Sequence, residues 1–462
     1  MMDLEQAARA ATCERRGANV VFSGVATDSR SVGPGELFVA LRGPRFDGHA
    51  FVAAAAERGA AAALVEAAWA DGITGLGPLP LLVATDTRLA LGRLARAWRA
   101  RFSLPVVALT GSSGKTTVKE MLAAVLAEAA AAEDAVLATR GNLNNDIGVP
   151  LTLLRLRETH RYAVVEMGMN HAGEIAYLTR LAEPVVALIN NAGRAHLEGL
   201  GSVEAVARAK GEIFEGLRDG GIAVINADDA YAGLWRKLAG SRRVIDFGLE
   251  RPAAVGAEAQ LRPEGTELLL RLPDGTARTR LAVPGLHNVR NALAAAAVAV
   301  ALNVPPEAIG RGLAKFRGIP GRLTRVAAIH GATLIDDTYN ANPDSVKAAL
   351  AVLAAVPGTR LFVLGDMGEL GASTVPLHEE IGRAARDARI DGLYALGEHS
   401  RHAVRAYGPG ARHFERIEEL LAEVENRLAP DVTVLVKGSR FMRMERVVQG
   451  LRLDAPATVA GR

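Results

Sequence analysis

Short apolar runs alternate with longer segments of helical spacing through the central part of the chain. Each run has the length and composition of a buried strand. The runs are 105–109, Tyr162–Met167, Val185–Asn190, Ile222–Asn226 and Val244–Phe247. Strands that alternate with helices favour a mainly parallel sheet with helices on both faces. We therefore predict an α/β fold for this region.

The flanking regions show related but separate patterns. The N-terminal part has short predicted strands at Leu37–Leu41 and Leu81–Ala84, and the amphipathic segment Asp86–Phe102 predicts the helix that joins it to the centre. After the central strands, Leu268–Leu272 and Thr276–Val283 predict a hairpin appended to the central sheet, and Asn291–Leu302 predicts a buried Ala-rich helix. A second α/β unit follows, with predicted strands at Thr333–Asp336, Leu361–Leu364, Gly392–Leu396 and Val432–Val436.

The length of the chain agrees with three domains. A chain of 462 residues is too long for one hydrophobic core. We place the boundaries at 1–84, 85–313 and 314–462, where the patterns change. The fold class is therefore a three-domain α/β protein with a small first domain and a mainly parallel central sheet.

Composition excludes several classes of protein. The 54 basic and 51 acidic residues are interspersed, so a dedicated nucleic-acid binder is excluded. The single cysteine, Cys13, allows neither an intramolecular disulfide nor a Cys-based zinc site. The sequence has neither a signal peptide nor an apolar stretch long enough to span a membrane. We expect a cytoplasmic enzyme.

A phosphate-binding loop lies between the first central strand and the helical segment Val118–Glu128. The loop reads Thr110-Gly111-Ser112-Ser113-Gly114-Lys115-Thr116-Thr117. Gly111 and Gly114 let the backbone approach an anion, and the amides at the helix start point at it. Lys115 can reach terminal phosphates, and the Thr116 hydroxyl can ligate Mg²⁺. Leu109 stands where the general pattern has its first glycine, so a plain Gly-rich turn is the alternative. We predict an ATP site.

Polar residues follow other predicted strands. Glu166 and His196 come after two central strands, whose carboxyl ends line the same crevice as the phosphate loop in a parallel sheet. A solvated strand-end acid and a structural histidine are the alternatives. Lys210 lies in a helix-like segment, where most lysines are solvated. Asp336–Pro343 and 437–440 follow strands of the third region, and a capped helix start explains Asp336–Pro343 equally well.

These pieces together resemble the Mur ligases, ATP-dependent amide-forming enzymes of bacterial cell-wall precursor synthesis. The shared marks are the phosphate loop, Glu166, the strand end at His196, Lys210, the segment 285–295 and Pro320-Gly321-Arg322. Finer marks resemble the branch that adds D-alanyl-D-alanine. They lie at 141–150, 166–175, 195–198, 336–345 and 364–370. The branch that adds the third peptide residue carries Asp-Asn-Pro-Arg where this chain has Asn340-Ala341-Asn342-Pro343-Asp344.

The resemblance implies roles for individual residues. Lys115 and the loop from Gly111 to Thr117 would hold the ATP phosphates, with Lys115, His196, Lys210 and Arg322 as the catalytic set. Thr116 and Glu166 would bind one Mg²⁺, while His196 and a carbamylated Lys210 would serve a second. Asn288 and Asn291 would face adenine, Asp337 the ribose and Arg322 the γ-phosphate.

The resemblance also implies the substrates. Asn142, Asn144 and Asn145 resemble the muropeptide-facing loop, and Asn340 and Asn342 would contact substrate. Two turns of the N-terminal region, Thr27-Asp28-Ser29-Arg30 and 43–49 with Asp47, Gly48 and His49, resemble a UDP-binding site, although composition by itself favours ordinary surface turns. The C-terminal domain would be Rossmann-like. The implied partners are UDP-N-acetylmuramoyl-tripeptide and D-alanyl-D-alanine, the implied cofactors are ATP and Mg²⁺, and a monomer is expected.

Two other functions compete with this interpretation. A folylpolyglutamate synthetase-like ligase shares the ATP machinery but lacks the N-terminal domain with its UDP-type turns. An ATP-driven switch would hydrolyse ATP without an amine acceptor. An assay of ATP turnover with and without both substrates distinguishes the switch from a ligase.

Overall fold

The computed structural model describes residues 1–44, 46–73, 77–262 and 265–453. Arg45, within the predicted turn 43–49, lies outside the described residues, and so do the last nine residues of the third predicted domain. No helix in the described ranges is long and apolar enough to cross a bilayer.

The central unit is built on a six-stranded sheet in which every neighbouring pair is parallel. In spatial order the strands are Val136–Ala138, Tyr162–Glu166, Val106–Thr110, Val186–Ile189, Ile222–Asn226 and Arg243–Phe247. The three middle strands are almost fully buried because helices cover both faces, which is why they appear as continuous apolar runs. The five predicted strands are confirmed. The short edge strand Val136–Ala138 escaped prediction because only Leu137 of its three residues is buried.

The three helices predicted at Asp86–Phe102, Val118–Glu128 and Asn291–Leu302 are present, although the last begins five residues earlier than predicted, at Leu286. The helices of the central unit are Thr87–Arg99, Lys115–Ala130, Gly148–Leu154, Glu174–Ala182, Leu197–Leu200, Val203–Gly211, Ala232–Ala239, Leu286–Ala301 and Pro306–Lys315, with short 3-10 turns at Glu133–Ala135 and Glu212–Phe214. Asp86 caps the first of them by accepting hydrogen bonds from the amides of Arg88 and Leu89. The Ala-rich helix is nearly all buried, as its composition predicts.

The predicted hairpin belongs to a sheet of its own, so its predicted attachment to the central sheet is wrong. The strands Gly256–Arg262, Gly265–Leu272 and Gly275–Leu281 form a three-stranded antiparallel sheet. Its apolar face packs on the helices Leu286–Ala301 and Pro306–Lys315, within the core on one side of the central sheet. The first strand was not predicted because its residues are mostly small or polar and its second half is exposed, so it forms no apolar run.

The N-terminal unit is a five-stranded sheet with one antiparallel edge. In spatial order its strands are Glu14–Arg16, Leu81–Ala84, Ala62–Glu66, Leu37–Val39 and Val25–Ala26, and only the pairing of Glu14–Arg16 is antiparallel. Two small antiparallel pairs, Met2–Asp3 with Val21–Phe22 and Arg42–Gly43 with Phe46–Asp47, and the helices Leu4–Ala11, Val52–Glu57 and Ala67–Ala70 complete it, with a 3-10 turn at Gly48–Phe51. Both predicted strands are confirmed.

The C-terminal unit repeats the α/β pattern with six strands. In spatial order they are Thr324–Ala327, Thr333–Asp337, Val432–Lys437, Thr359–Gly365, Gly392–Leu396 and Ala411–Phe414, and only the first pair is antiparallel. The helices are Pro343–Ala354, Thr374–Asp387, Arg401–Tyr407, Ile417–Glu425 and Glu445–Leu451, with 3-10 turns at Ile329–Gly331, Gly371–Ser373 and Arg440–Met442. The four predicted strands are confirmed, and both edge strands are additional.

The N-terminal and central units share one hydrophobic core. The cluster runs from Leu4 through Leu91 and Trp98 to the central strand at Val106. Arg99 lies inside this join, where its guanidinium donates to the carbonyl oxygens of Ala182 and Phe102, and burial lowers its pKa to about 10. The C-terminal unit has two cores of its own. Its join to the central unit is mainly polar, and that join forms the site described below.

We expect Gly382→Ala to destabilise the C-terminal unit. A Cβ on Gly382 would lie 2.0 Å from the carbonyl oxygen of Ala403 on the neighbouring helix, so the two helices would have to separate. The expected loss is about 1–3 kcal/mol of unfolding free energy, measured by urea denaturation. The matched control is Gly233→Ala at an exposed position of a helix, where the new Cβ meets nothing within 4 Å and stability should rise by about 0.5–1 kcal/mol. Equal effects of the two substitutions would contradict the close helix contact.

Candidate active site

A cleft of about 1480 Å³ separates the carboxyl edges of the central and C-terminal sheets. Most of the predicted site residues line it. They are Ser112, Ser113, Gly114, Lys115, Thr116, Thr117, Asn142, Asn144, Asn145, Glu166, His196, Asn288, Asn291, Arg322, Asp337, Asn340 and Asn342. The cleft lining does not include Gly111, Lys210 or the N-terminal residues Thr27, Asp28, Ser29, Arg30, Asp47, Gly48 and His49. The topology thus brings together residues more than 200 positions apart in the sequence.

The phosphate loop has the conformation that its glycines predict. Gly114 has φ +79° and is the N-cap of the helix Lys115–Ala130. A Cβ on Gly114 would lie 2.3 Å from Asn291 Oδ1, so this position needs glycine both for its backbone and for space. The free amides at the start of a 16-residue helix point into the cleft, which suits an anion.

Two asparagines that the sequence analysis did not assign hold this loop. Asn191 accepts a hydrogen bond from the Ser113 amide through Oδ1 at 2.9 Å. Asn190 donates through Nδ2 to the Ser113 carbonyl oxygen at 3.0 Å and to Asn291 Oδ1 at 3.1 Å. They thereby connect the phosphate loop to the helix that carries Asn288 and Asn291. Their place at the end of a strand next to the loop strand was the signal that could have identified them.

Lys115 is held close to the loop. Its Nζ donates to the carbonyl oxygen of Gly111 at 2.6 Å. Burial lowers the pKa of the ammonium group, and the nearby Arg322 acts in the same direction, while the carboxylates of Glu166 and Glu369 oppose both. The side chain therefore lies between two carboxylates and one guanidinium, at the point where a terminal phosphate would enter.

Glu166 has one carboxylate oxygen without a partner. The residue is 2% exposed, and its Oε1 accepts a hydrogen bond from Asn144 Nδ2 at 2.9 Å. Its Oε2 is buried and accepts no hydrogen bond among the described residues. A buried, unpaired carboxylate oxygen beside the phosphate loop is a suitable ligand for a divalent cation.

No group of three His, Cys, Asp or Glu residues arranged to hold a metal occurs in the described part of the chain. Mg²⁺ does not require such a group, because it is usually bound by one or two carboxylates together with substrate phosphates and waters. Glu166 and the Thr116 hydroxyl offer oxygen donors of this kind. The residues present therefore fit Mg²⁺ at a phosphate-bearing site.

His196 contacts the C-terminal unit. It has φ +60°, and its Nδ1 lies 2.7 Å from Glu369 Oε2. The same contact holds the pKa of Glu369 below its ordinary value. A second link is the hydrogen bond from the Glu198 amide to the Glu369 carbonyl oxygen, at 3.2 Å. The predicted strand-end histidine is therefore part of the cleft, with a partner that sequence reasoning did not identify.

Lys210 is not the solvated lysine that a helix position suggests. It lies on the helix Val203–Gly211 and is 1% exposed. Burial, reinforced by the charge of Lys115, lowers its pKa well below the usual value, and no acidic group offsets this effect. Burial therefore shifts this amine towards its uncharged form, which is the nucleophilic one.

Arg322 and Asn342 cross from the C-terminal unit to the phosphate loop. The Arg322 guanidinium donates to Thr116 Oγ1 at 2.9 Å and stacks over the Tyr339 ring, 4.1 Å from its centre. Asn342 donates through Nδ2 to Ser113 Oγ at 3.2 Å. The two walls of the cleft are therefore in contact at the phosphate loop.

Asp337 and Asn340 are tied to a lysine at the end of the neighbouring strand. The Lys437 ammonium donates to Asp337 Oδ2 at 2.5 Å and to the Asn340 carbonyl oxygen at 2.9 Å. This ion pair fixes the loop after the strand Thr333–Asp337. Lys437 also faces the cleft.

An ion-pair cluster around Arg194 joins the two walls. Its guanidinium binds Asp344 Oδ1 at 3.0 Å through Nε and both oxygens of Glu380 at 2.8–2.9 Å through Nη1. Lys347 also pairs with Glu380. Arg194 follows the strand Val186–Ile189, whereas its partners lie on two C-terminal helices. The cluster therefore connects the loop that supports the phosphate site to the opposite wall.

The predicted N-terminal residues form local contacts. Asp28 pairs with Arg30 at 2.7 Å, which lowers the pKa of Asp28 to about 2. His49 is buried, with Nδ1 2.5 Å from Asp47 Oδ1 and Nε2 accepting from the Glu66 amide at 2.9 Å. Both ring nitrogens of His49 are thus engaged in the fold.

Three segments match domains of one protein family. Residues 21–99 match the catalytic domain of the Mur ligase family, 109–299 the Mur ligase middle domain and 321–440 the glutamate ligase domain of Mur ligases. The UDP-N-acetylmuramoyl-tripeptide–D-alanyl-D-alanine ligase of Escherichia coli strain K12 is 45% identical over 95% of this chain and 96% of its own length.

Solved structures are similar over nearly the whole chain. A crystal structure of MurF from Acinetobacter baumannii is 38% identical, covers 96% of this chain and 97% of its own, and has a TM-score of 0.88. A MurF ligase from Thermotoga maritima, solved in complex with ADP, is 28% identical, covers 92% of this chain and 96% of its own, and has a TM-score of 0.80.

We expect Arg194→Met to open the cleft. Removal of the guanidinium leaves Asp344 and Glu380 without their partner on the opposite wall. The fraction of molecules in which the two walls are apart should therefore increase. The radius of gyration from small-angle scattering should increase, and 1 M salt should increase it in the unmodified protein for the same reason. Arg208→Met is the matched control because the Arg208–Glu204 ion pair lies within one helix. An unchanged radius of gyration in Arg194→Met would contradict a clamping role.

Proposed function

The chain belongs to the Mur ligase family, and we propose how the residues of its cleft carry out the family's reaction. It is an ATP-dependent ligase that joins D-alanyl-D-alanine to UDP-N-acetylmuramoyl-tripeptide in peptidoglycan precursor synthesis. The products are UDP-N-acetylmuramoyl-pentapeptide, ADP and phosphate. The observation that carries the proposed mechanism is the contact of Arg322 and Asn342 with the phosphate loop.

ATP binds with its phosphates at the loop Gly111–Thr117 in this proposal. The loop amides and Lys115 hold the phosphate oxygens, and Arg322 reaches the γ-phosphate from the opposite wall. Asn288 and Asn291 offer amide groups that match the donor and acceptor edge of adenine. Asp337 faces the ribose. The asparagines at 190 and 191 keep the loop and the adenine side in one fixed arrangement.

Mg²⁺ would bind at Thr116 and Glu166, with a second ion served by His196 and a carbamylated Lys210. The free oxygen of Glu166 and the burial of the Lys210 amine, which lowers its pKa, support this assignment. Carbamylation joins the Lys210 nitrogen to the carbon of CO₂ with release of a proton, and it replaces an amine with anionic oxygens. When bound, Mg²⁺ neutralises phosphate charge and so lowers the barrier to attack by an anion.

The first step of the reaction brings two anions together, and basic residues of the cleft reduce their repulsion. The terminal carboxylate of the tripeptide and the γ-phosphate repel each other, and Lys115 and Arg322 offset that repulsion. A carboxylate oxygen bonds to phosphorus while the bond to the β–γ bridging oxygen breaks, and ADP leaves. The amine of D-alanyl-D-alanine then attacks the acyl carbon, the bond to the phosphate oxygen breaks, and phosphate leaves as the amine nitrogen loses its proton.

Closure of the cleft protects the acyl phosphate. Water would hydrolyse this intermediate, so the walls must meet before it forms. The contacts of Arg194, Arg322 and Asn342 across the cleft support such closure. In this proposal Arg322 reaches the phosphate loop only when the two walls of the cleft have met. The reaction therefore takes place only after water has been excluded.

The muropeptide would extend from Asn142, Asn144 and Asn145 towards the N-terminal unit. Asn144 already contacts Glu166, so that loop adjoins the reacting groups. The UDP group would lie at Thr27–Arg30 and at Asp47–His49, where Asp47 and His49 shape the turn through their mutual contact. Asn340 and Asn342 would contact substrate from the other wall.

We propose domains at 1–84, 85–313 and 314–462, a monomeric enzyme and a cytoplasmic location. The three largest sheets, one in each proposed domain, support the first proposal. The nucleotide-linked substrate and ATP support the last, because both are made inside the cell.

The test of the function is ADP release with defined substrates. The enzyme should release ADP only when UDP-N-acetylmuramoyl-tripeptide and D-alanyl-D-alanine are both present. Lys115→Ala should lower this rate by orders of magnitude while the thermal melt stays near that of the unmodified enzyme, since the hydrogen bond of this side chain is made to its own loop. Turnover of ATP without an acceptor would indicate an ATP-driven switch instead.

We expect Lys210 to carry a carbamate at neutral pH. Carbamates form from uncharged amines, and burial lowers the pKa of this amine and so favours its uncharged form. Acidification protonates the amine and should therefore remove the group. With ¹³C-bicarbonate, a carbamate resonance should appear in the NMR spectrum, and Lys210→Met should lose both the resonance and ligation.

The matched control for Lys210 is Lys119→Met. Lys119 is equally buried, but its Nζ donates to the Thr139 carbonyl oxygen and pairs with Glu120. This variant should keep the carbamate resonance. Full ligase activity in Lys210→Met, or a resonance that persists there, would refute the assignment.

A further inference from the structure

Two loops of the C-terminal wall carry side chains that the proposed mechanism leaves unused. The loop after the strand Thr359–Gly365 carries Glu369, and the loop after Val432–Lys437 carries Arg440 and Phe441. All three side chains line the cleft. Phe441 is 63% exposed. An exposed phenyl group is ordinary on an outer surface, but on the wall of a polar cleft it offers an apolar contact to a ligand.

The two loops are packed against each other. The Gly368 amide donates to Ser439 Oγ at 2.8 Å, and the Ser439 amide donates to the Asp366 carbonyl oxygen at 3.0 Å. A Cβ on Gly368 would lie 2.8 Å from the Phe441 ring, so the ring lies directly over this glycine. Glu369 is the next residue. Glu369 and Phe441 therefore lie on adjoining loops of the same wall.

The loop that carries Glu369 is fixed by hydrogen bonds to neighbouring segments of the C-terminal unit. The Asp366 carboxylate accepts hydrogen bonds from the amides of His399 and Ser400 at 3.0 and 2.7 Å. The Met367 amide donates to Nε2 of the buried His378 at 3.0 Å. Glu369 itself has φ +61°, a conformation that side chains other than glycine rarely adopt. Backbone strain of this kind is typical of residues held in place for a ligand.

The acidic residues on this wall differ in their ion-pair partners. Asp337 is paired with Lys437, and Asp344 is paired with Arg194. Glu369, in contrast, pairs with His196, and within the described ranges it has no ion pair with a lysine or an arginine.

Arg440 supplies the complementary charge. It pairs with Glu445 at 3.1 Å, yet its side chain is 58% exposed. The wall thus presents an anion, a cation and a phenyl group on two adjoining loops.

We propose that Glu369, Arg440 and Phe441 form the subsite that receives D-alanyl-D-alanine. Glu369 binds the α-ammonium group, Arg440 binds the terminal carboxylate, and Phe441 contacts the methyl side chains. A zwitterionic dipeptide matches this arrangement because it carries one charge of each sign and small apolar groups between them. The contact of Glu369 with His196 brings the amine end to the central wall, where the acyl phosphate forms. This inference rests on the ligase function proposed above.

The role of Arg440 is tested with D-alanyl-D-alaninamide, which keeps the amine and lacks the carboxylate. The unmodified enzyme should prefer D-alanyl-D-alanine in kcat/KM, and Arg440→Met should reduce that preference at least tenfold. Glu445→Gln is the control because it removes the ion pair of Arg440 but keeps the guanidinium, so the preference should remain. An unchanged preference in Arg440→Met would overturn the carboxylate assignment.

The role of Glu369 is tested by comparing the KM for D-alanyl-D-alanine with the KM values for the other two substrates. Glu369→Gln should raise the KM for D-alanyl-D-alanine at least tenfold, with the KM values for ATP and tripeptide within twofold of the unmodified enzyme. Propionyl-D-alanine, which lacks the amine, should inhibit both enzymes equally. Glu379→Gln, on a helix of the same unit and outside the cleft lining, is the control and should change none of these values. Phe441→Ala should raise the KM for the dipeptide and leave that for ATP unchanged.

The results of these experiments distinguish an error in the proposed subsite from an error in the proposed function. An unchanged KM for D-alanyl-D-alanine in Glu369→Gln, or an equal rise in the KM for ATP, would overturn the subsite while ligation by the unmodified enzyme continued. Failure of the unmodified enzyme to ligate any amine would overturn the proposed function instead.

Discussion

The hydrogen bond from Arg322 to the Thr116 hydroxyl joins the central and C-terminal units in the cleft where we propose that the chemistry occurs. A parallel sheet places its polar strand-end residues at one edge, and that edge is open to water unless another body covers it. Here the covering body is a second parallel sheet whose own carboxyl edge faces the first. The phosphate loop, Glu166 and His196 belong to one wall, and Arg322, Asp337 and Glu369 belong to the other.

The two joins between units differ in their physical nature. The N-terminal and central units share an apolar core, whose separation would expose buried side chains such as Leu91 and Trp98 to water. The central and C-terminal units meet mainly through ion pairs and hydrogen bonds, among which the Arg194 cluster is the largest. Such contacts exchange with water at little cost, so this join can open and close. A ligase needs this difference, because substrates must enter and water must then be kept out.

Much of the fold could be predicted from the sequence. Buried parallel strands are continuous apolar runs, and each one predicted from the pattern is present. Edge strands such as Val136–Ala138 and Ala411–Phe414 were not predicted, because half-exposed strands have mixed composition. The hairpin was predicted, but its sheet was not, since pairing partners are set by tertiary packing. Lys210 shows the same limit for the site: its segment predicts a helix, whereas its burial and lowered pKa come from the surrounding structure.

The sequence by itself determined the local chemistry of this protein. The loop Gly111–Thr117 carries its glycines, lysine and threonines within seven positions, so its short-range geometry suits a phosphate group. Only the tertiary structure decided what faces that loop. Asn191, Glu369, Arg440 and Phe441 lie far apart along the chain, and no local spacing connects them. The packing of two sheets edge to edge brings them to one cleft, because a side chain's partners across a cleft depend on how whole units dock.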